Sequence, residues 1–237
     1  MHDLINREKS SIEKRRTGRQ MQSHNQKGFT LIEIAVVLVI IGLLIGGILQ
    51  GTELIDNSRI KKAGGDFQGI ATAYVSYQGR YQRLPGDDGN TAAIQARGGD
   101  WATVTGGNNN GALFARRTQT FTGGDENDQF WQHLRAAGYI SGDASLVTLA
   151  SLPRNAFSGL MGVTTEAVQG GLGGIKLCMS QVPGKSASAL DLQTDDGSPD
   201  SGSLRANVGV TGTNTAPAVA AVGTYTEDNE YTICKQL

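Results

Sequence analysis

The sequence predicts an α+β protein: one long N-terminal helix, membrane-spanning in its first half, packed on an antiparallel β-sheet head. Three observations carry that expectation. From Phe29 to Leu49 the chain holds one charge, Glu33, among residues that are otherwise almost all apolar or glycine. From Ile55 to Tyr81 apolar residues recur mainly at three- or four-residue steps, until Leu84-Pro85-Gly86-Asp87 interrupts them. Beyond that point short β-prone runs alternate with turns rich in Gly, Asp and Pro. The pattern divides the 237 residues into a leader (1–28), a helix (29–83, transmembrane over about 29–49) and an exported head (84–237).

The leader carries seven Lys and Arg against three acidic residues, a formal +4, and has no apolar core. An ordinary secretory signal places its short apolar region ahead of a small-residue cleavage site. Here the basic stretch comes first, which holds it in the cytoplasm and sends the C-terminal part across the membrane. At about 1.5 Å per residue the apolar run spans roughly 30 Å, the thickness of a bilayer's hydrocarbon core. A carboxylate within such a run costs a few kcal/mol unless a partner relieves it. The segment Gly28-Phe29-Thr30-Leu31-Ile32-Glu33 resembles the processing site of type IV prepilins and type II secretion pseudopilins. That resemblance implies cleavage between Gly28 and Phe29 by a prepilin peptidase, methylation of the new N-terminus, and assembly into a filament through the N-terminal helix. An uncleaved signal anchor explains the orientation but not the Gly28, Phe29 and Glu33 pattern.

Two roles are open to Glu33. Thr30 and Glu33 stand in the Thr-x-x-Glu relation of a capping box. Its carboxylate can also pair with the α-amine of Phe29 in a neighbouring subunit, since such an amine is mostly protonated below about pH 7.7. The second role explains why a carboxylate sits in lipid, and makes assembly conditional on cleavage. Gly42, Gly46, Gly47 and Gly51 form two small-xxx-small spacings that let apolar helices approach closely. Many pilins carry a proline at this depth; residues 29–84 here contain none, so a sharp kink is not expected.

The second half of the helix is amphipathic, with Ile55, Ile60, Ala63, Phe67, Ile70, Tyr74, Tyr77 and Tyr81 as the stripe that covers the head. In the head, a helix is expected from Asp125 to Ala137, ended by Gly138. Strands are expected at Gly174–Ser180, Ser203–Val210, Val219–Tyr225 and Glu230–Lys235. The Leu84–Asp88 turn and the Trp131–Ile140 stretch are similar to segments of a bacterial subgroup of pilin-like proteins.

Cys178 and Cys234 both fall on expected strands of the exported part. An even count in an oxidising compartment reads as a disulfide, with two free buried thiols as the alternative; a C-terminal disulfide loop is also what the pilin resemblance implies. Asp191, Asp195, Asp196 and Asp200 crowd a Gly-rich stretch whose oxygen ligands suit calcium, as in some pseudopilins. The spacing departs from the twelve-residue calcium loop, and a turn held by Asp side chains on local N–H groups competes with it.

Catalytic motifs are sparse. His2 and His24 lie in the leader, so only His133 remains for chemistry, and its place in an amphipathic helix marks it as structural. A His-based triad or zinc site lacks partners, which counts against an exported hydrolase. Gly184-Lys185-Ser186 lacks the first glycine of a phosphate loop, position 179 being Met. The runs Gly170–Gly174 and Gly106–Gly111 read as loops. Without the leader the chain carries 14 basic against 19 acidic residues, a formal −5, so no nucleic-acid partner is expected despite Arg116 and Arg117. The expectation is a structural subunit and not an enzyme. It is inserted in the inner membrane, cut by prepilin peptidase, and assembled by an inner-membrane platform with copies of itself and other pilins. The alternative is a membrane-anchored binding protein that does not assemble.

Overall fold

The computed structural model describes residues 28–237; the leader, apart from Gly28, lies outside the described residues. The chain divides into two compact units at Leu49/Gln50, and each is considered by itself. Helix α1 runs Leu31–Tyr81, two residues shorter at each end than the expected span. In the first unit it is an apolar helix with no buried residue in its most hydrophobic window, and it is long and apolar enough to cross a membrane.

In the second unit α1 continues as an amphipathic helix, burying Ile60, Ala63, Phe67, Ile70, Ala73 and Tyr77. These recur at steps of three and four, so they line one stripe. The expected stripe is corrected at four residues. Ile55 is 53 % exposed, Tyr74 and Tyr81 are half-buried, and Ala73 is buried in their company. The small residues let the helix approach its neighbours: Gly64 lies against Leu190.

The head contains the short helix α2 (Thr91–Gln95), helix α3 (Asp125–Ala136), strand β1 (Met161–Thr164), strand β2 (Lys176–Pro183), helix α4 (Gly184–Thr194), strand β3 (Leu204–Val208) and strand β4 (Glu230–Gln236). The strands form one antiparallel sheet in the order β1-β2-β4-β3. Helix α3 ends one residue before the expected Ala137. Gly138, at φ +77, lets the Tyr139 N–H reach the Leu134 carbonyl and the Gly138 N–H reach that of Arg135, which satisfies the last carbonyls of the helix.

The expected strand Val219–Tyr225 does not form. That segment runs along the outer edge of β3 with a single rung, Val222 N–H to Ala206 O, while Val219 O accepts from Gly170 N–H. Three elements lie outside the expected set: the five-residue helix α2, strand β1 and helix α4. Strand β1 is four residues long with a glycine at its second position, too short for a periodic signal. Helix α4 begins directly at the end of β2, with Pro183 as its N-cap residue. Gly184-Lys185-Ser186 therefore forms the first turn of a helix, yet no loop separates it from the strand to cradle a phosphate.

Because alternate residues of a strand face opposite ways, the register divides the sheet into two faces. Leu177, Met179, Leu204, Ala206, Tyr231 and Ile233 share one, on which Lys235 reaches across to the Thr194 carbonyl at the end of α4. Cys178, Cys234, Asn207 and Thr232 share the other. Loops cover this second face: Gln169 Nε2 donates to Asn207 Oδ1 and Thr232 O, and Thr232 Oγ1 donates to Thr215 O. Both faces are buried, so β2 and β4 show no polar alternation.

Candidate processing and assembly site

Gly28, Phe29 and Thr30 precede α1 in non-helical conformation. Thr30 and Glu33 close a reciprocal cap. The Glu33 N–H donates to Thr30 Oγ1 at 3.3 Å, and the Thr30 N–H and hydroxyl donate to Glu33 Oε2 at 2.8 and 2.7 Å. Free N–H groups at a helix start need such acceptors. The first of the two roles open to Glu33 is therefore realised within one chain, through one carboxylate oxygen. Oε1 takes no hydrogen bond among the described residues.

Phe29 is 84 % exposed, and among the described residues no atom beyond the chain neighbours lies within 4 Å of where a Cβ at Gly28 would stand. From Leu31 to Leu49 the large apolar side chains are exposed, among them Leu31, Leu38, Leu43 and Leu49. A surface of that kind needs lipid or other helices around it. Gly42, Gly46, Gly47 and Gly51 likewise have open space where a Cβ would be, which leaves flat strips for close helix approach.

In the head, Cys178 and Cys234 form a disulfide. They are directly opposite each other on β2 and β4, and both are fully buried. Of the four aspartates, Asp191, Asp195 and Asp196 bring carboxylate oxygens within 4.8 Å of one another. Asp200 stays outside that group and accepts from Ser198 Oγ. The three are also bound by protein donors. Asp191 accepts from Gly197 N–H and Tyr225 OH, Asp195 Oδ2 from the Ser203 and Leu204 N–H groups, and Asp196 from Ser198 N–H and Ser201 Oγ. Burial pushes the Asp191 carboxyl above its usual range, and the Asp195 and Asp196 charges add to this. Three converging carboxylates with lone pairs to spare form a donor set that fits a hard dication such as calcium. Asp195 has a second task, since its carboxylate caps the outer edge of β3 where unpaired N–H groups would invite another strand.

His133 is fully buried. Its Nδ1 accepts from Gly86 N–H at 2.9 Å and its Nε2 lies 2.9 Å from Thr105 O. Gly86 N–H can only donate and Thr105 O can only accept, so the ring is neutral with its proton on Nε2. Burial drives its pKa down to about 4. Beside it stands an ion pair that the sequence reading missed. Arg97 binds Asp88 through two nitrogens, at 2.8 and 3.1 Å, while Tyr77 OH donates to Asp88 at 2.6 Å. The guanidinium lies over the Tyr81 and Trp101 rings. The one signal for this cluster was the acidic pair closing the Leu84–Asp88 turn. Its partners come from four separate segments.

No curated protein matches the chain. A family model does match, over residues 23–49, and it is described as the prokaryotic N-terminal methylation motif. This chain therefore carries, at residues 23–49, the signature of the prepilin-type processing that type IV pilins and pseudopilins share.

Proposed function

We propose that this chain is a filament subunit, a pilin or pseudopilin rather than an enzyme. Cleavage after Gly28 and methylation of Phe29 would follow insertion in the inner membrane. The processed subunit then packs through the 29–49 helix against copies of itself and other pilins, loaded by an inner-membrane assembly platform. The head is carried to the cell surface or held in the periplasm. The observation that supports this reading is the methylation motif set immediately before an exposed apolar helix. Glu33 Oε1 is the atom proposed to meet the neighbouring Phe29 amine, a pairing that only processing makes available. Neutralising two charges in a low-dielectric bundle sets the register of one helix against the next, and losing one partner strands the other at a cost of several kcal/mol if fully desolvated.

The test compares wild type, Gly28→Ala and Glu33→Ala in cells with an active prepilin peptidase. Intact mass should show loss of residues 1–28 for wild type and Glu33→Ala but not for Gly28→Ala. Glu33→Ala should be processed and disulfide-bonded yet depleted from filaments relative to membrane. A wild-type product that begins at Met1 would refute the processing step. An equal filament share for Glu33→Ala would leave that carboxylate a helix cap only. Calcium is the proposed ligand of the Asp191, Asp195 and Asp196 loop, supported by their convergence.

A further inference from the structure

The loop Gly106–Gly111 lies in the head, outside the motif at residues 23–49, and is rigidly built. Gly106 and Gly107 lie so close to the backbone of residues 86–91 that no Cβ would fit at either position. The Asp87 carboxylate accepts the Asn110 and Gly111 N–H groups at 3.1 and 2.7 Å. The loop thus presents its asparagines from a fixed backbone. It forms one wall of an open cavity of about 480 Å³, whose other lining residues include Phe114, Asp125, Glu126 and Gln129. That volume lies within the range of small-molecule sites, roughly 300–1,000 Å³.

The floor of this cavity is held by a buried carboxylate. Glu126 is 5 % exposed. It accepts from Asn108 Nδ2 on one wall and from the Phe114 N–H on the other. A buried charge is costly, and here its bonds tie the two walls of an open space together. Burial also raises its pKa above the usual carboxylate range.

The remaining groups are of mixed polarity. Gln129 Oε1 is closed to solvent, so the part of this lining residue open to a ligand is its amide N–H end. Asn110 uses its side-chain oxygen on the Ala112 N–H, which leaves its amide N–H groups to donate. Asp125 uses one carboxylate oxygen on Gln119, which leaves the other to accept. Among the described residues, no Lys or Arg lines the cavity. At its rim Phe114 is 50 % exposed although Arg116 covers part of its ring.

We infer that this cavity binds a carbohydrate, with Asn110, Asp125 and Gln129 bonding ring hydroxyls and Phe114 stacking on the apolar C–H face of a pyranose. A hydroxyl both donates and accepts, so it suits a wall that offers amide N–H groups beside a carboxylate oxygen. An exposed ring on a fixed backbone supplies apolar contact at low entropic cost. Glu126 and Asp87 are positioning residues, each acting through a wall of the site. A polyamine would satisfy the carboxylate but leave the amide donors unused.

The test uses processed full-length protein in micelles of a sugar-free, polyethylene-glycol-type detergent, so that it is independent of filament formation. It would be applied to a printed panel of neutral oligosaccharides and titrated in solution with the corresponding monosaccharides, with spermidine as the cationic probe. Binding of monosaccharides in solution would assign free sugar, and binding of printed chains alone would assign a glycan; either supports the proposal. Phe114→Ala and Gln129→Ala should each weaken binding at least tenfold, with the urea midpoint unchanged. Asp125→Asn, at an exposed helix start, provides a variant whose folding is not at issue and should weaken binding severalfold. No binding across the panel, binding that all three variants leave intact, or binding of spermidine without sugar would each overturn the inference.

Discussion

Acidification tests the place of His133 in the head. His133 is the only histidine beyond residue 28, since the other two are His2 and His24. Its folded-state pKa is pushed down to about 4 by burial, against about 6.5 in an unfolded chain. Between those values the unfolded state binds the proton and the folded state does not, so stability rises with pH across that window and is lost as pH falls through it. Over the pH 7 to 5 interval the difference integrates to about 2 kcal/mol, a large fraction of a domain's usual 5–15 kcal/mol. The structural cause is specific. A protonated Nδ1 would face the Gly86 N–H, donor against donor, and untie the turn after α1 from α3. Asp66, Glu126 and Asp191 carry carboxyls raised by burial, and these act in the opposite direction. The informative quantity is therefore the difference between wild type and His133→Gln. Urea unfolding of both proteins at pH 7, 6 and 5 measures it. The wild type should lose about 2 kcal/mol more than the variant over that interval. Parallel losses would show that His133 titrates normally and that the buried, doubly bonded ring is wrong.

Three further outcomes are expected. Replacing both Cys178 and Cys234 by Ala removes a bridge that spans 56 residues; on the chain-entropy model this costs about 4 kcal/mol, read as a lowered urea midpoint, and recovery of both as free thiols from exported protein would contradict the bridge. Gly202 sits at φ +68 with the Asp195 carboxylate where a Cβ would go. Gly202→Ala should therefore detach Asp195 from the Ser203 and Leu204 N–H groups and destabilise the head by about 1–3 kcal/mol, with raised amide exchange at β3; unchanged exchange there would refute the capping role. Millimolar calcium should raise the thermal midpoint of wild type but not of Asp196→Asn, and equal responses in the two would remove the calcium assignment.

What was legible in the sequence was whatever local order alone imposes. An uninterrupted apolar run has one stable environment, and the Thr30/Glu33 cap needs only residues three apart. The stripe from Ile60 to Tyr77 repeats with the helix, and Gly138 ends α3 because only that backbone geometry closes its last turn. The two cysteines were visible as a pair because composition and compartment favour a bridge, though their direct opposition on β2 and β4 was not. The tertiary structure decided the rest. Strand β1 is too short for periodicity, and the sheet is buried on both faces, so no alternation marked its strands. The Val219–Tyr225 run has strand composition but finds only one rung on β3, because Asp195 and the Pro199 carbonyl already occupy other groups of that edge. Arg97 with Asp88, Tyr77 and Trp101, and Glu126 between Asn108 and Phe114, join residues distant in sequence. Their interaction energies depend on contacts made only once the core has closed, and no local pattern records that.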